Sequence, residues 1–257
     1  MKHQESRAEN LNFDDYPNPE TAPVKLVKNK RAAIIQSSYI PWKGYFDIIS
    51  SVDEFILFDD VQYTRRDWRN RNKIKTPGGP QWISIPVECK NKYLQKVKET
   101  RICDPKWACK HWKTIEHNYS KAKYFGDYKN LFEELYLGRS YEYLSEVNFR
   151  LIQAICGILG IDTRISWSMD YEVIDGRNER LISLCKQVGA CEYLSGPSAK
   201  SYTEESMFQA ENIKLTFVDY SGYPEYNQLY EPFDHFVSVI DLIFNEGPNA
   251  TKFMKRL

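Results

Sequence analysis

Several signatures that would assign this chain at a glance are missing. There is no G-x-G-x-x-G and no G-x-x-x-x-G-K, so neither the dinucleotide fingerprint nor the P-loop is present. There is no G-x-S-x-G elbow, and no cysteine sits in a convincing Cys–His arrangement, so covalent catalysis has no clear candidate. The six cysteines contain no C-x-x-C pair, which argues against a zinc ribbon. Only four histidines occur, and His111 and His117, six positions apart, lie about 240° apart around a helix, so a two-histidine metal site is disfavoured. Excess charge is absent too: 35 basic residues balance 35 acidic ones. A nucleic-acid binder normally carries a basic surplus, so no nucleic acid is expected as a partner. No apolar run approaches the ~20 residues of a membrane span. The polar start MKHQESRAEN does not resemble a secretory leader, and the expectation is a cytoplasmic protein with reduced thiols.

What is present is a sizeable core and many aromatics. Hydrophobic residues make up 42% of the 257 positions, enough to exclude disorder for most of the chain. Eighteen tyrosines, each with an apolar body and a polar tip, fit a wide, partly wet cleft or packing against helices. Residues 1–30, rich in charge and proline and without periodicity, read as a flexible tail; a single domain follows over 31–257. AAIIQ and EFILFDD are short buried strands separated by a loop, 36–44, and a short helix, YFDIISSV. Residues 61–75 read as an arginine-rich connection, irregular or in part extended, TPGGPQ as a turn, and WISIPVE as an alternating strand. A helical insertion is expected over about 104–160, opened by Asp104-Pro105. Strand TRISWSM, helix ERLISLCKQVGA, strand CEYLSG, a helix capped by Thr203, strand IKLTFVDY and helix SVIDLIFNEGP complete the order. Strands alternating with helices predict an α/β, Rossmann-like, mostly parallel sheet. In such sheets ligands bind at the carboxyl ends of strands. The loops expected there, 36–44, 59–72 and 194–202, are also the chemically richest.

Asp59 and Asp60 end a buried strand, and neighbours on a strand face opposite ways. They read as a general base or a Mg²⁺ ligand, or equally as a turn cap paired with nearby arginines. Arg65, Arg66, Arg69 and Arg71 interleave with Tyr63 and Trp68. Guanidiniums bind phosphates bidentately and aromatics stack on bases, so the run suggests a nucleotide or diphosphate ligand; a solvated basic face is the bland alternative. Gln62, Asn70 and Asn72 favour the ligand, since a solubility run seldom needs amides. Gln36, Tyr39, Trp42 and Lys43 crowd the earlier loop, where Trp42 forms either a wall for a sugar or base or part of the core. His111, beside Trp112, is either a general base or a satisfied structural histidine. Ser195 and Tyr202 belong to SGPSAKSY, where amides and hydroxyls suit a phosphate or an ordinary strand-to-helix turn.

The stretches IIQSSYIPWKGYF, FDDVQYTRRDWRNRNKIKTPGGPQWISIPV, SGPSAKSY and DLIFNEGP resemble the WbqC-like proteins, over about residues 32–250. Members tend to carry proline after the glutamine of the first strand; Ser37 stands there in this chain. The resemblance implies a place in bacterial surface-polysaccharide (O-antigen, lipopolysaccharide) biosynthesis. It suggests a transferase that puts an amino acid such as glycine, or another acyl group, on the amine of a nucleotide-linked dideoxy amino sugar. It maps family motif residues onto Gln36, Tyr39, Trp42, Asp59, Asp60, Gln62, Trp68, Asn70, Arg71, Asn72, His111, Ser195 and Tyr202. On this reading Arg65, Arg69 and Arg71 hold the diphosphate, Tyr63 or Trp68 stacks on the base, and Asp59, Asp60 or His111 accepts the proton. The donor is a thioester on an acyl carrier protein or on coenzyme A; no cofactor motif is recognisable. The alternatives are an adenylating or nucleotidyl-transfer enzyme using ATP and Mg²⁺, and a non-catalytic assembly partner.

Overall fold

The computed structural model describes residues 29–255; the expected tail lies almost wholly outside them. Five short apolar strands form one parallel sheet: β1 (Arg31–Ile35), β2 (Glu54–Leu57), β5 (Arg164–Trp167), β6 (Glu192–Ser195) and β7 (Lys214–Phe217). Their order across the sheet is β5-β2-β1-β6-β7. Counted along the chain this is 3-2-1-4-5, the Rossmann order, and the order reverses between β1 and β6. The register sets Ile34 beside Ile56 and Ala32 beside Tyr193.

The period of two along each strand divides the core into two layers. Ala33, Phe55 and Leu57 pack against Phe46 and Ile49 of α1 (Lys43–Ser50), Leu151 and Ile155 of α4 (Leu144–Leu159) and Ile240 and Ile243 of α7 (Val239–Glu246). Ala32, Ile34 and Ile56 face the other way, against Leu181 and Cys185 of α5 (Arg177–Gln187) and Phe208 of α6 (Glu205–Ala210). The sheet is therefore wound on both faces, as the alternation of strands and helices predicts.

Between β2 and β5 the chain inserts an antiparallel hairpin, β3 (Arg71–Thr76) and β4 (Gly79–Ser84), and then α2 (Trp107–Tyr119), α3 (Phe125–Leu137) and α4. One local expectation is made definite and two are corrected. The end of the arginine-rich connection is a strand, because Asn72, Ile74 and Thr76 turn inward while Arg71 and Lys73 turn outward. Its partner starts at Gly79, earlier than WISIPVE suggests: Gly79 takes φ +99°, and the Thr76 hydroxyl donates to the Gly79 carbonyl at 2.7 Å, closing a turn at Pro77-Gly78. Helix α6 starts at Glu205 without a side-chain cap from Thr203.

Three buried ionisable groups make stability depend on pH in opposing directions. Burial pushes Asp47 up to about 6 against its bond from Tyr223, and pushes Asp241 up to about 6 against bonds from Tyr226 and Tyr119. Each carboxyl binds its proton more tightly folded than unfolded, so the stability it contributes is present below about pH 4 and is lost as pH rises through 6. Burial lowers His111 to about 4, so the folded form sheds this proton more readily and loses stability as pH falls from 6.5 to 4. Between pH 7 and 5 the urea midpoint of Asp47→Asn is expected to gain less than that of the parent, and that of His111→Gln to gain more. Equal slopes in all three proteins would refute these assignments.

Candidate functional site

The loop that leaves β1 is held by nearly every polar residue around it. Ser37 donates to Asp59 twice, from its backbone N–H at 2.8 Å and from Oγ at 2.7 Å. A proline at this position would lack that N–H. Asn148 on α4 donates to Ser37 Oγ at 3.0 Å and to the Arg69 carbonyl at 2.9 Å. Asn72 on β3 donates to the Ile40 carbonyl at 2.8 Å, and Arg69 donates to the carbonyls of Gln36 and Ser37 at 2.8 and 3.1 Å. Ile40 is fixed at φ +35°, a region β-branched residues avoid, and such a conformation persists only where surroundings over-determine it.

His111 serves the same loop from the helical insertion. Its Nε2 lies 3.2 Å from the Ser84 carbonyl, which can only accept, so Nε2 carries the proton. Nδ1 therefore accepts from the Tyr39 hydroxyl at 2.8 Å, and Tyr39 in turn accepts from Tyr136 at 2.6 Å. The lowered basicity of His111 keeps it neutral in this chain of bonds.

Where the strand order reverses, the carboxyl ends of β1 and β6 open into a cavity of about 1070 Å³. Ile34, Ile35 and Tyr193 form its floor, and Trp42, Tyr220 and Phe236 one wall. Trp68 stands at the side made by the segment after β2. Ser195 to Ala199 and Tyr202, after β6, supply another wall, and the first turn of α5 presents Gly176, Arg177 and Arg180. Three guanidiniums line this space, those of Arg69, Arg177 and Arg180, and no Asp, Glu, His or Cys side chain does so among the described residues. Arg180 pairs with Asp60 and lies 5.0 Å from the Phe58 ring; Arg177 lies 5.2 Å over Tyr202. Arg69 lies 3.7 Å from Asp67, which is outside the lining, so Arg177 is the one of the three without an acidic partner among the described residues. Guanidinium donors inside aromatic walls favour an anionic ligand.

The residues named from the sequence divide between the cavity and its supports. Gln36, Trp42, Trp68, Arg69, Asn72, Ser195 and Tyr202 line it. Asp59 and Asp60 do not: both are buried, and they diverge, Asp59 to Ser37 and Asp60 to Ser168 and Arg180. Strand β2 stops at Leu57, so the pair lies in the turn beyond it and strand alternation does not apply; the two carboxylates nevertheless diverge and share no space for a common ion. Burial pushes Asp59 upward against the bonds from Ser37. Tyr39, Tyr63 and His111 are core residues. Gln62 donates to the Tyr93 carbonyl at 2.8 Å, Asn70 to that of Ile85 at 2.8 Å, Arg65 to that of Cys89 and Arg71 to that of Arg66. Sequence reasoning missed Arg177 and Arg180. They follow the third strand of the sheet, and the carboxyl-end rule, applied after that strand as well, points to them.

The sequence model of the WbqC-like protein family matches residues 36–253. The chain belongs to this family. A relative from Mycobacterium tuberculosis (strain ATCC 25618 / H37Rv), called "Uncharacterized protein Rv1507c", is 50% identical over 226 residues, covering 88% of this chain and 98% of its own length. No solved structure matches. The family match begins at Gln36, the first residue of the loop beneath the cavity, and so takes in this WbqC-like protein's whole candidate site apart from Ile34 and Ile35 of its floor. No helix among the described residues is long and apolar enough to cross a membrane.

Proposed function

We propose that this WbqC-like protein is a transferase of bacterial surface-polysaccharide assembly. It moves an acyl or aminoacyl group from a thioester to the amine of a nucleotide-linked amino sugar bound in the switch-point cavity. The observation that carries the reading is the set of three arginines lining one aromatic cavity, two of them paired to Asp60 and Asp67 from outside its lining and Arg177 without such a partner. Arg69, Arg177 and Arg180 take the diphosphate, with Arg177 and Arg180 in place of the outward-turned Arg65 and Arg71. Trp68 or Tyr202 offers a ring face to the base. Gln36 and Ser195 are left to orient the sugar.

The reaction balances without a covalent enzyme intermediate. The sugar nitrogen attacks the thioester carbonyl, the C–N bond forms, the C–S bond breaks with its electron pair leaving on sulfur, and the ammonium proton passes to thiolate or water. With no carboxylate or imidazole lining the cavity, the amine enters as the free base, and the protein's contribution is orientation of two reactants. The rate at subsaturating sugar therefore rises with pH along the titration of the sugar amine. To test the assignment, the protein is incubated with a dTDP-linked amino sugar and acetyl or glycyl thioesters, and product mass is followed. A mass gain of one acyl group on the sugar supports it; an unchanged sugar in the presence of every thioester contradicts it.

A further inference from the structure

Beside the mouth of the cavity, the β3–β4 hairpin turns a second aromatic and cationic face to solvent. Of the six tryptophans, Trp68 and Trp82 are the exposed pair, at 41% and 40%. Their ring centroids are 5.1 Å apart. The hairpin register sets Lys73 opposite Trp82, with its Nζ 5.4 Å from the ring, and the Arg71 guanidinium lies 4.2 Å over the same ring. Arg66, at φ +58°, accepts from Arg71 through its carbonyl and leaves its own side chain exposed. None of Arg66, Arg71 and Lys73 takes part in an ion pair among the described residues. Packing explains neither ring, since both leave large apolar faces in water.

Trp68 belongs to both places: it lines the cavity and touches Trp82. We propose that this face is a second substrate site, for the adenine nucleotide end of a coenzyme A-type acyl donor. The base stacks on the tryptophan pair, and Arg66, Arg71 and Lys73 meet its phosphates. The pantetheine arm then crosses the rim at Trp68 and brings the thioester to the sugar amine. This donor assignment rests on the transferase reading above. The width of the face favours a nucleotide over a carrier protein: two rings and three cations match one nucleotide, whereas a stable protein interface needs about 800 Å² per partner.

The test titrates the full chain with coenzyme A and, separately, with adenosine 3′,5′-bisphosphate, by calorimetry and tryptophan fluorescence. Parallel titrations use a dTDP-linked amino sugar. Both adenine nucleotides are expected to bind, and Trp82→Ala and Lys73→Glu each to weaken them about tenfold. Affinity for the sugar nucleotide should stay within about twofold in these variants, which also reports that they are folded. Absence of adenine-nucleotide binding, binding that both variants retain in full, or displacement by the sugar nucleotide would each overturn the proposal. Coenzyme A binding that depends on Trp82, in a protein that binds no nucleotide sugar, would sustain this site and overturn the cavity reading instead.

Discussion

Arg180→Met is expected to lower the stability of the protein by about 1–3 kcal/mol, the cost of leaving a buried acceptor without its partner. Asp60 is 2% exposed at the end of β2, and Arg180 is the cation that pairs with it. Methionine keeps an unbranched side chain of similar reach but removes the guanidinium over the Phe58 ring and leaves the carboxylate without its cation. Adding Asp60→Asn removes the stranded charge, and the double variant is expected to recover most of the loss. Urea unfolding of the four proteins at pH 7 gives the coupling directly as a double-mutant cycle. Simple additivity would show that the pair is not the anchor described. The same cycle separates support from ligand contact: the double variant regains its fold but lacks one of the three cavity cations, so it should still bind a nucleotide diphosphate poorly.

The second large effect is at Asp59. Asp59→Ala removes the acceptor for both the N–H and the hydroxyl of Ser37, inside a region closed to water. Unsatisfied buried donors cost about 1–3 kcal/mol each, so a loss of about 2–5 kcal/mol is expected. Asp59→Asn keeps one acceptor oxygen and should lose less. Amide exchange at Ser37 should quicken in parallel with the fall in the unfolding midpoint, because the loop loses its tie to the end of β2. A catalytic base would behave differently. Asp59→Asn would then abolish turnover while leaving the midpoint and Ser37 exchange almost unchanged, and that result would return Asp59 to the reaction.

The strands and the location of the cavity were legible because they depend on local pattern. AAII and EFIL are apolar runs that only a doubly covered sheet buries, and the rule that ligands sit at strand carboxyl ends led to loops 36–44, 59–72 and 194–202. Period two does not apply at Asp59-Asp60, because β2 ends at Leu57 and both lie in the turn beyond it. The use of each polar side chain was much less legible, because the partners are remote. Arg180 looks like one solvated charge of an amphipathic helix until Asp60, 120 positions earlier, is placed beside it. His111 gains its role from Tyr39, 72 positions away, and from the Ser84 carbonyl. Strand β3 was legible only as an extended part of the connection, because in RNKIKT even the inward Asn72 is polar, holding the backbone of the loop after β1. The concentration of Asp, Asn and Arg in 59–72 thus has two uses: part of it faces the cavity, and a larger part fixes the loop beneath it.

The central claim is that the switch-point cavity binds a diphosphate through Arg69, Arg177 and Arg180. Arg177 tests it most directly, because it forms no ion pair among the described residues and lies at the open first turn of α5, so its removal spares the fold. Calorimetric titration with a dTDP-linked amino sugar is expected to show saturable binding to the parent, and binding at least about tenfold weaker to Arg177→Ala with an unchanged melting temperature. Equal affinity in the two proteins, or no binding to the parent, would contradict the account.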